Sequence, residues 1–298
     1  MRKALLILLF APLLHAQALA LTFDDGPRLD QHVLLDAAGK NEALLAALKA
    51  AKVQSVLFVC GRARMDRADG RALVKAWGEA GHRIANHSFA HGSLDGEGTS
   101  AEAFEADLLK NEALVRDLPG FTKWFRFPYL KEGDTAPKRD GLRSFLKDQG
   151  YLNGRVSIDA SDWYYDARLQ ERLARDPRAD LEPYRKAYLD HLWDRAAYYD
   201  GLAHRVLGRD VKHVLLLHHN LINALFLTDV IGMFRAKGWT LIPPAEAYGD
   251  PMYRLEPRVL PAGESLLWSL AKEKHLEGLR YPGEDSRYEE PKLDALGL

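Results

Sequence analysis

The chain has 298 residues, of which 47% are hydrophobic and 10% aromatic, so it can bury a substantial core as one large domain or two small ones. Its 41 basic and 42 acidic residues leave a formal net charge of −1, which excludes a strong overall attraction to nucleic acid or to anionic lipid. The single cysteine, Cys60, excludes an internal disulfide, and its position after the apolar run SVLFV predicts a buried, unreactive thiol.

The first 20 residues have the order of an export signal. Two basic residues at positions 2 and 3 precede an apolar run from 4 to 14, and alanines follow at 16, 18 and 20. The run is 11 residues long, whereas a membrane-spanning helix needs about 20. We therefore expect cleavage after Ala18 or Ala20, a periplasmic or secreted mature protein and no stable membrane insertion, with a retained anchor as the alternative.

Short β-rich runs alternate with helix-like segments along the chain. The predicted strands are Leu19–Phe23, Val53–Cys60, Arg83–Asn86, Trp124–Phe127, Arg155–Ile158, Val214–Leu217 and Trp239–Ile242. The segments between them, such as NEALLAALKAA and LTDVIGMFRAKG, repeat apolar residues at the 3.6-residue period of a helix. This alternation predicts an α/β protein with a parallel sheet, and the length of the chain favours closure into a barrel over an open doubly wound sheet.

Two segments depart from this alternation. Residues 164–212 form a polar insertion whose apolar residues keep helical spacing, which predicts one or two extra helices packed on the barrel. Beyond Pro243 the chain is rich in proline, glycine and charge, with a helical piece near Ser265–Leu276. The predicted organisation is a signal peptide (1–20), one barrel domain (21–245) and a C-terminal extension (246–298) without an assigned role.

Polar residues that are unusual in such positions occur at or just after five of the predicted strands. These segments are the Asp24-Asp25 pair, NHSFAH, FRFPY, DASDW and LLLHHN. In a βα barrel the carboxyl ends of the strands and the loops after them form the active-site face. We therefore expect the five segments to meet at one face of the molecule.

Three of these residues have the chemistry of a metal site. His87 and His91 are four residues apart, so both imidazoles reach one ion if the segment turns helically. Together with Asp25 they make a facial triad of two histidines and one carboxylate, which leaves positions open for water and substrate. The alternatives are an incidental histidine pair and a carboxylate that only caps the turn at Gly26-Pro27.

Asp24 has a separate role in this interpretation. A metal acidifies water, and a neighbouring carboxylate can take the proton as a general base while the water oxygen attacks a carbonyl carbon. Arg126 is the candidate for keeping that base ionised and oriented. The alternative for Arg126 is an ordinary ion pair at the rim of the barrel.

A hydrolase of this kind also needs an acid for the leaving group. His218 ends the apolar run VLLL and is the candidate, with His219 as the less favoured neighbour. Asp162 is positioned to hydrogen-bond the imidazole and raise its pKa. Trp163 offers an apolar face to a sugar ring or a methyl group, although a tryptophan alone would be an ordinary core residue.

The five ordered motifs TFDDGP, HSFAH, RFPY, DASDW and LLLHHN resemble those of the polysaccharide deacetylase family, the NodB-homology or carbohydrate esterase family 4 enzymes, over residues 19–245. The resemblance implies a single domain with a distorted (β/α)7 barrel and a carbohydrate substrate. It implies that Asp24 is the base and that Asp25, His87 and His91 bind a divalent metal, usually zinc, with Co²⁺, Mn²⁺ or Ni²⁺ as alternatives. It further implies that Arg126 supports the base, the backbone N–H of Tyr129 polarises the carbonyl, Asp162 tunes His218, and Trp163 lines the acetyl pocket.

The sequence departs from this family at two places that concern the substrate. His219 and Asn220 follow His218, where many members have Asp, and the 164–212 insertion separates the fourth motif from the fifth. The expected function is removal of acetyl groups from carbohydrate, foremost the N-acetyl group of a hexosamine. The alternatives are an O-acetyl esterase on a polysaccharide such as xylan, a small-amide hydrolase, and a glycan-binding pseudoenzyme. The complete set of base, metal ligands and acid argues against a pseudoenzyme.

Overall fold

The computed structural model describes residues 17–96, 98–283 and 285–298, so most of the predicted signal peptide lies outside the described residues. The strands are β1 (Ala18–Gly26), β2 (Val56–Val59), β3 (Arg83–Asn86), β4 (Phe121–Phe125), β5 (Lys131–Gly133), β6 (Leu152–Asn153), β7 (Lys212–His218), β8 (Thr240–Leu241) and β9 (Ala262–Gly263). The α-helices are α1 (Ala37–Ala51), α2 (Ala68–Glu79), α3 (Ala101–Val115), α4 (Ala136–Asp148), α5 (Asp162–Arg175), α6 (Glu182–Leu207), α7 (Leu221–Ala236), α8 (Pro244–Ala247), α9 (Leu266–Glu273) and α10 (Glu290–Leu296). Short 3₁₀ helices cover Pro128–Leu130, Pro251–Arg254 and Ser286–Tyr288.

One curled sheet organises the fold. Its strands follow the order β6-β4-β3-β2-β1-β7, β8 pairs with the first two residues of β1, and all of these pairings are parallel. Ile158 forms a single parallel bridge to Leu215 of β7, which brings the two ends of the sheet together. The prediction of an α/β fold with a distorted barrel is confirmed, and closure of the barrel depends on that bridge.

The predicted strand Arg155–Ile158 is wrong. The chain pairs with β4 at Leu152–Asn153 and bridges β7 at Ile158, so the residues between them cross the gap instead of pairing along one neighbour. Arg155 turns its guanidinium to the buried carboxylate of Glu132, with Nε 2.8 Å from Oε1. Side-chain bonds of this kind hold the crossing in place, and a β-rich composition does not reveal them.

Side chains cap the N-termini of several helices. Asp36 accepts a hydrogen bond from the backbone N–H of Gly39 at the start of α1, and Ser100 accepts one from Ala103 at the start of α3. Asn220 does the same for α7, accepting from Asn223. Because Asn220 directly follows His219 and β7, this cap also fixes the chain just beyond the strand that ends at His218.

The insertion and the C-terminal extension both pack into the main core. Helices α5 and α6 occupy the insertion, as predicted, and α6 buries a stripe that includes Tyr188, Leu192 and Tyr199. Leu267 of the extension is fully buried in the same hydrophobic cluster, and β9 pairs antiparallel with β5. Apolar residues of the extension, such as Leu267 and Leu293, are therefore part of the barrel's own hydrophobic core. In the described part of the chain, no helix has the length and apolar character needed to cross a membrane.

Candidate active site

The carboxyl ends of four parallel strands meet at one cavity. Asp24 and Asp25 lie at the end of β1, His87 follows β3, and His218 ends β7. They line a cavity of about 600 Å³ together with His91, Tyr129 and Trp163. Arg126 follows β4 and lies beneath the cavity, with only 1% of its surface exposed. The structure thus brings together all of the site residues that the sequence suggests.

Asp25, His87 and His91 form a group that could hold one metal ion, with one ligand atom from each residue and all three atoms within 4.8 Å of one another. The Nε2 atom of His91 is 2.9 Å from Asp25 Oδ1, and Nε2 of His87 is 3.5 Å from the same oxygen. The two imidazoles meet edge to face with centroids 5.0 Å apart. Three nitrogen and oxygen donors converging on one point suit a divalent transition metal.

Two details of these residues fit a metal. His87 Nδ1 is 2.9 Å from the backbone oxygen of Arg126, so Nδ1 donates a proton there and leaves Nε2 with its lone pair toward Asp25. Oδ1 of Asp25 is buried and receives no well-directed hydrogen bond from the described residues. A buried carboxylate oxygen without a donor is costly, and a cation would satisfy it.

The pKa values of two residues keep them in the form that binds a metal. Burial lowers the pKa of His87 to about 4, so the imidazole is neutral near pH 7. Burial raises the pKa of Asp25, but the close contact with His91, and the positive charges that His91, His218 and His87 carry when protonated, lower it well below the ordinary value. Both residues therefore present lone pairs at neutral pH.

The segment that carries the two histidines is not a helical turn, and that premise of the sequence prediction is wrong. Ser88 and His91 have positive φ angles of 67° and 54°, which bend the chain sharply. The carboxylate of Asp107 on α3 accepts hydrogen bonds from the backbone N–H groups of Phe89 and Ala90. A distant helix thus holds the loop that delivers both imidazoles, and a four-residue spacing alone does not predict this.

Asp24 is held by Arg126. One guanidinium nitrogen of Arg126, Nη1, donates to Asp24 Oδ1 at 2.6 Å, while Asp24 Oδ2 lies 3.7 Å from His87 Nε2, on the side of the triad. Arg126 is fixed in turn by Nε donating to Gly154 O at 2.7 Å, and by Nη2 donating to Tyr248 OH at 3.1 Å. The ion pair is therefore buried and oriented, in contrast to an exposed pair at the rim.

His218 and Asp162 form the second half of the site. His218 Nδ1 is 2.7 Å from Asp162 Oδ1, and the backbone N–H of His218 donates to Oδ2 at 2.8 Å. Burial lowers the pKa of His218, but the charge and hydrogen bond of Asp162, with the charges of Asp25 and Asp24, raise it to about 10. The imidazole is therefore protonated near neutral pH, as a general acid must be.

Two asparagines complete the environment of Asp162, and sequence reasoning missed both. Asn220 and Asn223 donate to Asp162 Oδ2 at 3.1 and 2.7 Å. Asn220 lies within the LLLHHN motif, so its position offered a signal, whereas Asn223 is inside α7 and offered none. The carboxylate is locked in one orientation from several sides.

His219 points away from the cavity. Its Nδ1 accepts a hydrogen bond from the backbone N–H of Arg28 at 3.3 Å, and Nε2 is 2.9 Å from Asn41 Oδ1. Burial and the charge of Lys40 lower the pKa of His219 to about 3. A neutral imidazole that supports the loop after β1 is unsuited to the acid role, which agrees with the preference for His218.

Tyr129, Trp163 and Cys60 lie along the cavity wall. Tyr129 has a φ of 55° and is 45% exposed, and its ring packs edge to face against His91. Trp163 donates from Nε1 to Gly283 O at 3.0 Å. Cys60 is 4% exposed, which confirms the predicted burial, and burial together with the charge of Asp25 raises the pKa of its thiol to about 12.

Comparison with known proteins supports the resemblance found in the motifs. A sequence model of the polysaccharide deacetylase family matches residues 14–145, a stretch that contains Asp24, the histidine pair and Arg126. The peptidoglycan-N-acetylglucosamine deacetylase of Bacillus cereus is 26% identical over 145 residues. That alignment covers 48% of this chain and 46% of the Bacillus protein, so the chain matches about half the length of this curated relative.

Solved structures share the fold. The peptidoglycan deacetylase PdaC from Bacillus subtilis aligns with a TM-score of 0.52 and 20% identity, covering 78% of this chain and 90% of that one. A mutant of a carbohydrate esterase family 4 pseudoenzyme, with restored enzymatic activity, aligns with a TM-score of 0.52 and 17% identity over 78% of this chain and 68% of that one. The resemblance to the polysaccharide deacetylase family is confirmed, and the fold occurs in both an enzyme and a pseudoenzyme.

Proposed function

We propose that this protein is a metal-dependent hydrolase that removes acetyl groups from carbohydrate, and foremost the N-acetyl group of a hexosamine. The observation that carries the proposal is that a base, a set of metal ligands and an acid line one cavity. A protein that only bound glycans would not need Asp24 paired to Arg126, nor His218 paired to Asp162. The Bacillus cereus relative supports a glycan substrate that contains N-acetylglucosamine.

In this proposal Asp25, His87 and His91 hold one divalent metal, with zinc as the first expectation. When bound, such a cation supplies Lewis-acid chemistry, polarising an acetyl carbonyl and acidifying water. The same ligands accommodate Co²⁺, Mn²⁺ or Ni²⁺, because a set of two imidazoles and one carboxylate selects weakly among these ions.

The protein residues then carry the proton transfers. Asp24 takes a proton from water through Oδ2, because Arg126 occupies Oδ1, and the water oxygen attacks the carbonyl carbon of the acetyl group. His218 donates its Nε2 proton to the sugar nitrogen as the carbon–nitrogen bond breaks, because Nδ1 is held by Asp162. Acetate and a free amine leave. The backbone N–H of Tyr129 polarises the carbonyl oxygen, and Trp163 holds the acetyl methyl group.

An acetate-release screen tests the proposal. The substrates are chitooligosaccharides, peptidoglycan, poly-N-acetylglucosamine and acetylxylan, each assayed with the zinc-loaded protein and after treatment with a chelator. We expect chelator-sensitive release from the N-acetylated glycans. Release from acetylxylan alone would identify an O-acetyl esterase, and no release from any substrate would favour a glycan-binding pseudoenzyme.

Export of the protein is part of the proposal, and the fold favours one of the two expected cleavage sites. Leu19 is fully buried in β1, where it pairs with His213 and Leu241. Cleavage after Ala20 would remove this residue from the sheet, so cleavage after Ala18 is the expectation. Amino-terminal sequencing of the mature protein should begin at Leu19, and recovery of intact Met1 from the cytoplasm would contradict export.

A further inference from the structure

The loop that carries the two histidines of the metal site, residues 87–91, has an uncommon backbone conformation. Ser88 and His91 have φ angles of 67° and 54°, in the left-handed region that residues other than glycine rarely adopt. Such a conformation persists only where the surrounding structure favours it. Contacts from outside the loop must therefore keep the imidazole of His91 beside Asp25, where its Nε2 is 2.9 Å from Oδ1.

Two buried asparagines fix the beginning of this loop. Asn111 on α3 is fully buried, and its Nδ2 donates to Asn86 Oδ1 at 2.7 Å. The same oxygen of Asn86 accepts from the backbone N–H of Ser88 at 2.9 Å. Ser88 Oγ in turn accepts from the backbone N–H of His91 at 3.0 Å. These bonds begin at the end of β3 and leave the N–H groups of residues 89 and 90 to other partners.

The middle of the loop is held from two sides. On one side, the backbone N–H of Arg62 donates to the backbone oxygen of Phe89 at 2.8 Å. On the other, Asp107 on α3 accepts from the N–H of Phe89 at 2.8 Å, and its two oxygens are 3.1 and 3.0 Å from the N–H nitrogen of Ala90. In the described part of the chain, no other side chain accepts from these two N–H groups. Hydrogen bonds to an ionised carboxylate are stronger than those between neutral groups.

Asp107 contributes little to the hydrophobic core. The buried residues of α3 are Phe104, Leu108, Asn111 and Val115. Asp107 is partly exposed, and one of the groups it holds, the N–H of Ala90, belongs to the residue directly before His91. Without the carboxylate, that N–H would turn to water and the chain would be free to leave the left-handed conformation at His91. The imidazole would then spend only part of its time beside Asp25.

We propose that Asp107 is a positioning residue for the metal site. Its carboxylate holds the loop so that His91 already faces Asp25 before an ion binds. When only a fraction of the molecules have the binding geometry, the apparent Kd rises by the inverse of that fraction. The inference rests on the metal site of the proposed function and concerns the affinity of that site.

The affinity for zinc measures this role directly. Metal-free wild type, Asp107→Ala and Asp107→Asn are each titrated with zinc in competition with a chromophoric chelator of known affinity, without substrate. Asp107→Ala should raise the Kd for zinc about 10- to 100-fold, the usual effect of removing a group that orients metal ligands. Asp107→Asn keeps an acceptor oxygen but not the charge, so it should recover part of the loss.

Urea unfolding of the same metal-free proteins separates positioning from a role in stability alone. A lower free energy of unfolding in Asp107→Ala with an unchanged Kd for zinc would overturn the proposal. If Asp107→Ala does not fold, Asp107→Asn decides the question, because its uncharged amide holds the loop less firmly. A several-fold higher Kd in Asp107→Asn supports the positioning role, and an unchanged Kd overturns it.

Glu105→Ala is the matched control. Glu105 is an acidic residue of the same helix, and within the described residues its carboxylate makes no hydrogen bond to the loop. Its Kd for zinc should equal that of the wild type, and a rise as large as in Asp107→Ala would overturn a specific role for Asp107. Because acetate release is not the readout, failure of the deacetylase proposal leaves the result standing. A wild type that binds no zinc would overturn the metal site and the positioning role together.

Discussion

The two halves of the active site satisfy their carboxylates in opposite ways. On the acid side, Asp162 accepts hydrogen bonds from the backbone and ring of His218 and from Asn220 and Asn223. On the metal side, Asp25 faces two imidazoles, and its buried Oδ1 lacks a well-directed donor. The carboxylate on the acid side is held by protein groups, whereas the carboxylate on the metal side has a buried oxygen that a cation would satisfy.

The protein orders the Asp162 carboxylate with its own hydrogen bonds, whereas it leaves one oxygen of Asp25 available to a ligand. A carboxylate with hydrogen-bond donors on both oxygens, such as Asp162, fixes its neighbour in one orientation and one protonation state. A carboxylate with an open lone pair is stabilised by whatever positive group enters. We therefore expect changes on the metal side to abolish binding of the ion, and changes on the acid side to shift a pH profile with the ion still bound.

The largest effect is expected when the two histidines of the metal site are removed. The double substitution of His87→Ala and His91→Ala removes both imidazoles and leaves a single carboxylate, which is too few ligands for a transition metal. Bound metal, measured by elemental analysis after dialysis, and acetate release should both be lost. Stoichiometric metal in this double variant would show that the ion binds elsewhere.

The second effect concerns the base. Asp24→Asn removes the proton acceptor but keeps the size of the side chain, so activity should fall by roughly two to four orders of magnitude, the usual contribution of a general base. The measurement is kcat/KM for an N-acetylated oligosaccharide at a matched metal content. Activity within a few-fold of wild type would assign the base role to another group.

The third effect concerns the pH dependence that His218 gives to the activity. Burial lowers the pKa of His218, but Asp162 raises it to about 10. The imidazole must be protonated to act as an acid, so activity should fall as the pH rises through that pKa. A cation in the triad would repel the imidazolium and move this alkaline limb to lower pH. Asp162→Asn removes the carboxylate's charge, so it should move the limb lower still.

The control for this prediction is His218→Ala. It should erase the alkaline limb and slow N-acetyl substrates more than matched O-acetyl substrates, because an amine leaves poorly without a proton. The readout is kcat/KM against pH for the wild type and both variants. An alkaline limb that persists in His218→Ala would remove His218 from the mechanism.

The smallest effect is on stability. An ion that binds only the folded state stabilises it by about 2.7 kcal/mol at a free concentration 100 times its Kd. Adding zinc to the metal-free wild type should therefore raise Tm, whereas the double histidine variant should show no specific rise. Equal shifts in both proteins would indicate binding outside the triad.

The sequence predicts the sheet well because the strands that build its centre are continuous apolar runs. Arg83–Asn86 is a strand with the predicted bounds, and the runs before Asp24 and His218 are strands whose ends the structure only extends. The predicted strand at Trp124–Phe127 is shifted to Phe121–Phe125, since a 3₁₀ helix begins at Pro128. Composition shows where a buried strand lies, but it does not show at which residue the hydrogen-bonded pairing of that strand ends.

The residues that orient the site residues could not be predicted from the sequence. Asp107 holds the histidine loop, Tyr248 holds Arg126, and Gly283 holds the indole of Trp163. Each acts across a long separation in the chain, and none belongs to a motif. Motifs identify groups that perform chemistry, because their spacing is local. The groups that orient them depend on tertiary packing, which local patterns do not encode.

We propose that the two adjacent carboxylates have different roles, with Asp25 as a metal ligand and Asp24 as a base held by Arg126. The most direct test is the metal content of Asp24→Asn and Asp25→Asn, prepared identically and dialysed against the same zinc buffer. Both substitutions remove one charge and keep the shape of the side chain. We predict about one zinc per chain in Asp24→Asn and a large loss in Asp25→Asn. Equal zinc content in the two variants, or loss in Asp24→Asn alone, would contradict the assignment.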